Sequence, residues 1–176
     1  MTTSAPLLTV SVVPRADHQS VTPLLLLAEP SYSGLRWSLE NLSDTIYRFD
    51  QDGALVGAAT MRWRDEPAEL VELAVAADQQ SRGVGRQIIE WLVDEGRRRG
   101  AASIEVGTRS TSLENIAFYQ RCGFRPLSVR HDYFWYYAEP VVEHGIVVRD
   151  MLVFERPLVT PSPRPLREPP RPPRNR

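Results

Sequence analysis

The sequence predicts a mixed α/β fold: a mostly antiparallel central sheet flanked by helices. Two patterns carry that expectation, strands of period two alternating with helical stretches of period 3.6 through the middle of the chain, and hairpin signals on either side of them. Size agrees, since 176 residues at 42% hydrophobic content can bury the core of one compact domain.

The elements follow in order. Residues 7–13 alternate as a first strand, and after Pro14 a helix is expected over 17–28, with Val21, Leu24, Leu25 and Leu27 on its apolar face, until Pro30 interrupts it. A second helix is expected over 35–42. Residues 45–50 and 54–64 read as two strands joined at Gln51-Asp52-Gly53, because Asp-Gly suits a tight hairpin turn. A strand over 69–76 comes next. The helix expected over 83–99 sets Val84, Ile88, Ile89, Leu92 and Val93 on one side, with Gly100 as its cap and Arg97, Arg98 and Arg99 against its negative end. A short strand over 102–106 leads to Thr111-Ser112-Leu113-Glu114, a capping-box start for a further helix. Alternation resumes from Leu127 through Tyr137, and 146–155 supply the last strand, interrupted by Arg149 and Asp150. There is no internal repeat.

Residues 157–176 hold eight prolines and five arginines, a composition that cannot bury a core. The domain is therefore drawn at 1–156, with 157–176 a disordered or polyproline-like tail that could also meet an SH3-like groove. Five arginines against Glu168 give that tail +4, which leaves −5 on the rest of a chain whose total is −1. An acidic body argues against a nucleic-acid binder, which needs a basic patch to displace counterions. The single cysteine, Cys122, leaves no internal disulfide, and the three histidines are too scattered for a metal site, so no metal is expected. The apolar run at 24–27 is far too short for a bilayer. The protein reads as cytoplasmic, without a membrane partner; a homodimer is compatible with the sequence.

Chemistry concentrates at Gln80-Ser81-Arg82-Gly83-Val84-Gly85-Arg86, directly after a strand and opening a helix. Glycines there let an anion approach bare backbone, while the unpaired N–H groups of the first helical turn point at it. A dinucleotide fingerprint would need a third glycine where Ile88 stands, and a phosphate-binding Gly-Lys loop is excluded because the chain has no lysine. A plain tight turn is the other reading of this stretch.

The second block is Asn115-Ile116-Ala117-Phe118-Tyr119-Gln120-Arg121-Cys122-Gly123-Phe124. Together the two blocks resemble the GCN5-related N-acetyltransferase (GNAT) family, over about residues 44–125. The resemblance implies the GNAT acyl-CoA N-acyltransferase fold, acetyl-CoA as co-substrate, and direct transfer of an acetyl group to a primary amine of a small molecule or peptide. It also assigns roles. Leu73 and Val75 would offer backbone groups to the pantetheine arm, with the Val75 N–H facing the developing oxyanion; residues 80–86 would hold the diphosphate. Asn115 would tie its helix to the cofactor or the neighbouring backbone. Tyr119, one turn beyond Asn115 on the same face, would protonate the leaving thiolate. Glu72 would be the base.

Each has a plainer reading: Leu73 and Val75 as core strand, Asn115 as a first-turn polar residue, Tyr119 as a half-buried core aromatic, Glu72 as a solvated surface charge. Glu69, Asp132, Glu143 and His144 are weaker candidates for the base. Trp135, Tyr137 and Glu139 are the candidates for acceptor binding, because aromatic faces beside a carboxylate suit an organic cation, although alternating aromatics also fill strands. The competing functional class is a noncatalytic acyl-CoA-binding module.

Overall fold

Strand alternation builds a seven-stranded sheet in the order β1-β2-β3-β4-β5-β9-β6. These are β1 (Thr9–Val13), β2 (Thr45–Gln51), β3 (Ala54–Arg62), β4 (Ala68–Val75), β5 (Ser103–Arg109), β6 (Arg125–Arg130) and β9 (Met151–Pro157). The computed structural model describes residues 8–137 and 139–159. Only β4 and β5 pair in parallel; every other neighbouring pair is antiparallel. The short strands β7 (Val142–Glu143) and β8 (Ile146–Val147) form a separate hairpin.

Helices cover both faces. On one, α3 (Val84–Arg99) lays Val84, Ile88, Ile89, Leu92 and Val93 against Tyr47, Phe49, Met61, Leu70, Ile104 and Phe154, joined by α4 (Leu113–Arg121) through Tyr119. On the other, α1 (Thr22–Leu25) and α2 (Tyr32–Asn41) bury Val21, Leu24, Leu25, Leu35 and Leu39 against Ile46, Ala58 and Ala74. Ala58 and Ala59 thus serve opposite layers, as period-two side chains must.

Several elements differ from the sequence reading. The first helix splits into a 3₁₀ stretch, Arg15–Ser20, and the single turn of α1, which restarts with Pro23 in its first turn, where a missing N–H costs nothing. Leu27 falls outside it and is 55% exposed, so it is not on the apolar face. The capping box does not form: the hydroxyls of Thr111 and Ser112 donate instead to Glu143. Alternation beyond β6 ends at Arg130, because Asp132 takes φ +51 and the chain folds into successive turns over 131–136. The final strand starts at Met151 rather than 146, since a positive-φ His144-Gly145 turn folds 146–147 back onto 142–143. Packing also reaches past 156: Leu158 is buried, and its N–H donates to the Ala102 carbonyl. The rest of the expected tail, 160–176, lies outside the described residues. Among the described residues no helix is long and apolar enough to cross a membrane.

Candidate functional site

β4 and β5 stay together for only three residue pairs, Ala68 with Ile104, Glu69 with Glu105 and Leu70 with Val106. Beyond these, β4 continues along β3 as far as Val75 opposite Gly57, while Gly107, Thr108 and Arg109 follow β9. The sheet therefore forks. The Ala76 N–H donates to the Val56 carbonyl across β3, so strand alternation turns the backbone groups of Leu73 and Val75 the other way, into the fork. A cleft of about 1140 Å³ opens there, lined by Val71, Leu73 and Val75 on one arm and Gly107 and Thr108 on the other.

One end of the cleft is built from main chain. Gly83, at φ +87, caps α3, and because the Gln87 N–H already bonds the Gly83 carbonyl, the N–H groups of Val84, Gly85 and Arg86 are the unpaired donors of the first turn. A Cβ on Gly85 would stand 3.2 Å from the Phe118 ring, so a side chain here would crowd the approach of α4 to α3. Gln80, Ser81, Gly83, Gly85 and Arg86 line the cleft, as does Arg121, which the sequence reading did not single out. Two of the expected residues do not line it with side chains: Arg82 is exposed elsewhere, and Val84 is buried in the core, leaving its N–H. Gln80 donates Nε2 to the Val75 carbonyl at 3.1 Å, which fixes the loop to the strand and leaves the Val75 N–H unclaimed.

α4 brings the next two residues. Asn115 is exposed on the lining and donates to Thr108 Oγ1 at 3.4 Å, tying the helix to one arm of the fork. Tyr119 is buried against Phe118, Phe124 and Phe154. Its hydroxyl has no hydrogen-bond partner among the described residues, yet it is not among the sealed unpartnered polar atoms, so it opens onto the cleft. Burial drives the phenol far above its usual range and keeps it protonated.

Glu72 is not a surface charge. Its carboxylate is buried, accepting from Ser38 on α2 and from Thr60, its partner on β3. Burial pushes its pKa up to about 8; the Ser38 hydrogen bond opposes this, and the charges of Glu29 and Glu69 add to it. The sequence reading missed Ser38 and Thr60, although each is a hydroxyl inside an apolar pattern: Ser38 on the buried stripe of α2 with Leu35 and Leu39, Thr60 in the Ala-rich run of β3.

The other end of the cleft is made by side chains. Phe134 anchors the turns over 131–136 by burying against Val148, Met151 and Val153, while Tyr133, Trp135, Tyr136 and Tyr137 face the cleft, Trp135 remaining 84% exposed. Glu139 is exposed and is not part of the lining. The carboxylate among the rings is Glu29, which accepts from the Tyr136 and Tyr137 hydroxyls at 3.0 and 3.4 Å and from the Ser31 N–H at 2.9 Å. Burial and the Glu29 charge lift both phenols, Tyr137 to about 12. The weaker candidates are engaged otherwise: Glu69 pairs with Arg62, Glu143 with Arg109 at 2.9 Å, and His144 lies 3.5 Å from Glu114, whereas Asp132 lines the cleft.

The sequence matches the Acetyltransferase (GNAT) family over residues 17–124. It is 34% identical to the N-acetyltransferase YvbK of Bacillus subtilis over 131 residues, 73% of this chain and 83% of the relative. Among solved structures, a Bacillus subtilis acetyltransferase in complex with CoA aligns with a TM-score of 0.76 and 30% identity, covering 87% of this chain and 100% of that one. A GNAT family acetyltransferase from Elizabethkingia anophelis with acetyl-CoA bound aligns with a TM-score of 0.77 and 27% identity, over 85% of this chain and 97% of the other.

Proposed function

This chain belongs to the GNAT acetyltransferase family and is an acetyl-CoA-dependent N-acetyltransferase, and from that premise we propose that it passes the acetyl group directly to a primary amine of a small molecule or peptide, both substrates lying in the forked cleft. The observation that carries this reading is the fork itself, which presents the backbone of Leu73 and the N–H of Val75 between a helix N-terminus and a buried carboxylate.

The residues present fit the donor. The N–H groups of Val84, Gly85 and Arg86 receive the diphosphate, with Gln80, Ser81 and Gly83 shaping the loop and the Arg86 and Arg121 guanidinium groups adding charge. Arg82 contributes only backbone to that loop. Leu73 and Val75 hydrogen-bond the amide-bearing arm, and Asn115 holds the α4 side of the fork. Acetyl-CoA supplies the activated acyl group as a thioester.

The chain's own residues then divide the proton traffic. Glu72, ionised, takes a proton from the incoming amine, held in place by the Ser38 and Thr60 hydroxyls. The Val75 N–H faces the carbonyl oxygen as negative charge grows there. Tyr119, kept protonated by burial, hands its hydroxyl proton to the departing sulfur. Burial also pushes the Cys122 thiol away from its reactive thiolate form, which favours direct transfer over a route through this cysteine. Trp135 and Tyr137 contact the acceptor. Residues 1–156, extended to Leu158, form the catalytic domain, and the Pro/Arg-rich remainder is a tail that activity does not need. The same reading sets the enzyme in the cytoplasm and leaves a homodimer to be tested by light scattering.

The test is amine-dependent release of CoA thiol from acetyl-CoA across a broad panel of primary amines. Release that requires an amine, with intersecting rather than parallel lines when both substrates are varied, is the expected result; binding of acetyl-CoA without turnover on any amine would overturn it.

A further inference from the structure

The acceptor end of the cleft carries two carboxyl groups, Glu72 and Glu29, one more than the reacting amine can use. Glu72 is committed to the reacting nitrogen. Glu29 lines the same cleft, close enough for its charge to act on Glu72. Its two oxygens are oriented by three neutral donors, the Ser31 N–H and the Tyr136 and Tyr137 hydroxyls, and among the described residues it makes no ion pair. A carboxylate fixed in this way has lost its freedom to turn, which is the arrangement that rewards an incoming cation. Arg109 reaches this end of the cleft, donating to the Ala28 carbonyl at 3.4 Å and acting on Tyr137, but its charge is met by Glu143 at 2.9 Å. The walls around Glu29 are aromatic. Tyr136 packs edge-on to Tyr137 with centroids 4.9 Å apart, Trp135 stands nearly perpendicular to Tyr136, and Trp37 and Leu27 complete the apolar surround. Ring faces about a fixed carboxylate bind organic ammonium groups.

Building on the N-acetyltransferase reading above, we propose that the acceptor is an organic dication, an aliphatic diamine or polyamine, whose reacting nitrogen meets Glu72 while its second ammonium is held by Glu29 among Trp135, Tyr136 and Tyr137. A monoamine would leave the Glu29 charge without a counterion. The methylene chain between the two nitrogens lies on the aromatic walls.

The experiment compares putrescine, cadaverine and hexamethylenediamine with butylamine, pentylamine and hexylamine as acceptors, on the full-length protein. The expected result is a kcat/KM at least about tenfold higher for the best diamine than for its matched monoamine, the value of one desolvated cation contact. Glu29→Gln, which keeps the side-chain shape and removes the charge, brings that ratio to near one, mainly through KM; Glu29→Asp retains a preference for the diamine. Calorimetric binding of the same amines to the CoA-saturated protein reproduces the order without turnover. A wild-type ratio near one, or a ratio that survives in Glu29→Gln, overturns the proposal. Absence of amine-dependent thiol release would instead sink the transferase reading, and the calorimetric order would still decide for or against the dication.

Discussion

The two ends of the cleft are made of different material. At the end proposed for the donor the available groups are main chain: the first turn of α3, the glycine loop before it, and the unpaired arm of β4. At the end proposed for the acceptor they are side chains drawn from segments far apart in sequence, Glu29, Ser38, Glu72 and the 133–137 aromatics. A backbone-built site depends on dihedral angles and on keeping side chains out, so it can recognise one constant ligand while its sequence varies. A side-chain-built site takes its preference from which groups happen to converge, so a single substitution can change what it prefers.

Substitutions can break that division, beginning with the most damaging. Gly83→Glu forces a side chain onto φ +87 and sets a carboxylate where a diphosphate belongs, so calorimetry should find CoA binding abolished; unchanged affinity would move the donor away from this loop. Glu72→Gln is expected to lower kcat/KM by about a thousandfold while CoA still binds, and an equal loss of CoA affinity would show that the two ends are not separable. Tyr119→Phe should reduce kcat by about a hundredfold, at the low end for an acid because a thiolate leaves readily. Its thermal stability should barely move, since the hydroxyl has no hydrogen-bond partner among the described residues.

A pH series gives the mildest effect and the sharpest assignment. Below about pH 8 the Glu72 carboxyl is protonated in the folded protein, so kcat/KM should fall by about tenfold per unit, whereas Glu72→Gln should show a slope shallower by one unit. Stability runs the opposite way. The unfolded carboxyl ionises near 4.5 and the folded one only near 8, so its contribution is fully present below 4.5 and is lost as pH rises through 8. Melting temperatures of the wild type and Glu72→Gln should therefore diverge across that window, in the direction that favours the variant at high pH.

Legibility in the sequence followed the same division. The glycine loop, α3 and its Gly100 cap were readable because helix initiation, termination and apolar period are local properties. So were β2, β3 and their Asp-Gly turn. Glu72 stands out as a candidate base by its place on the strand and the family resemblance, but its burial is not legible, because Ser38 and Thr60 lie 34 and 12 residues away and only the fold brings them to it. Glu139 is close to the aromatics in sequence but does not share the cleft with them. The carboxylate that meets them in space is Glu29, 107 residues from Tyr136. The turns after Arg130 were read as strand because an aromatic run has the composition of a strand, and nothing local announces that Asp132 will take a positive φ.

The fork between β4 and β5 leaves an internal edge within the sheet, with amides facing no strand at all. A ligand arm that satisfies them serves as an added ribbon, sewing shut a seam that the polypeptide leaves open. Hydrogen exchange at Leu73 and Val75 should be fast in the free protein and strongly slowed by CoA alone, with protection spreading into Gly107 and Thr108 across the gap. On that view the cofactor is a structural component between turnovers, and the melting temperature of the protein should report how much of it is on hand.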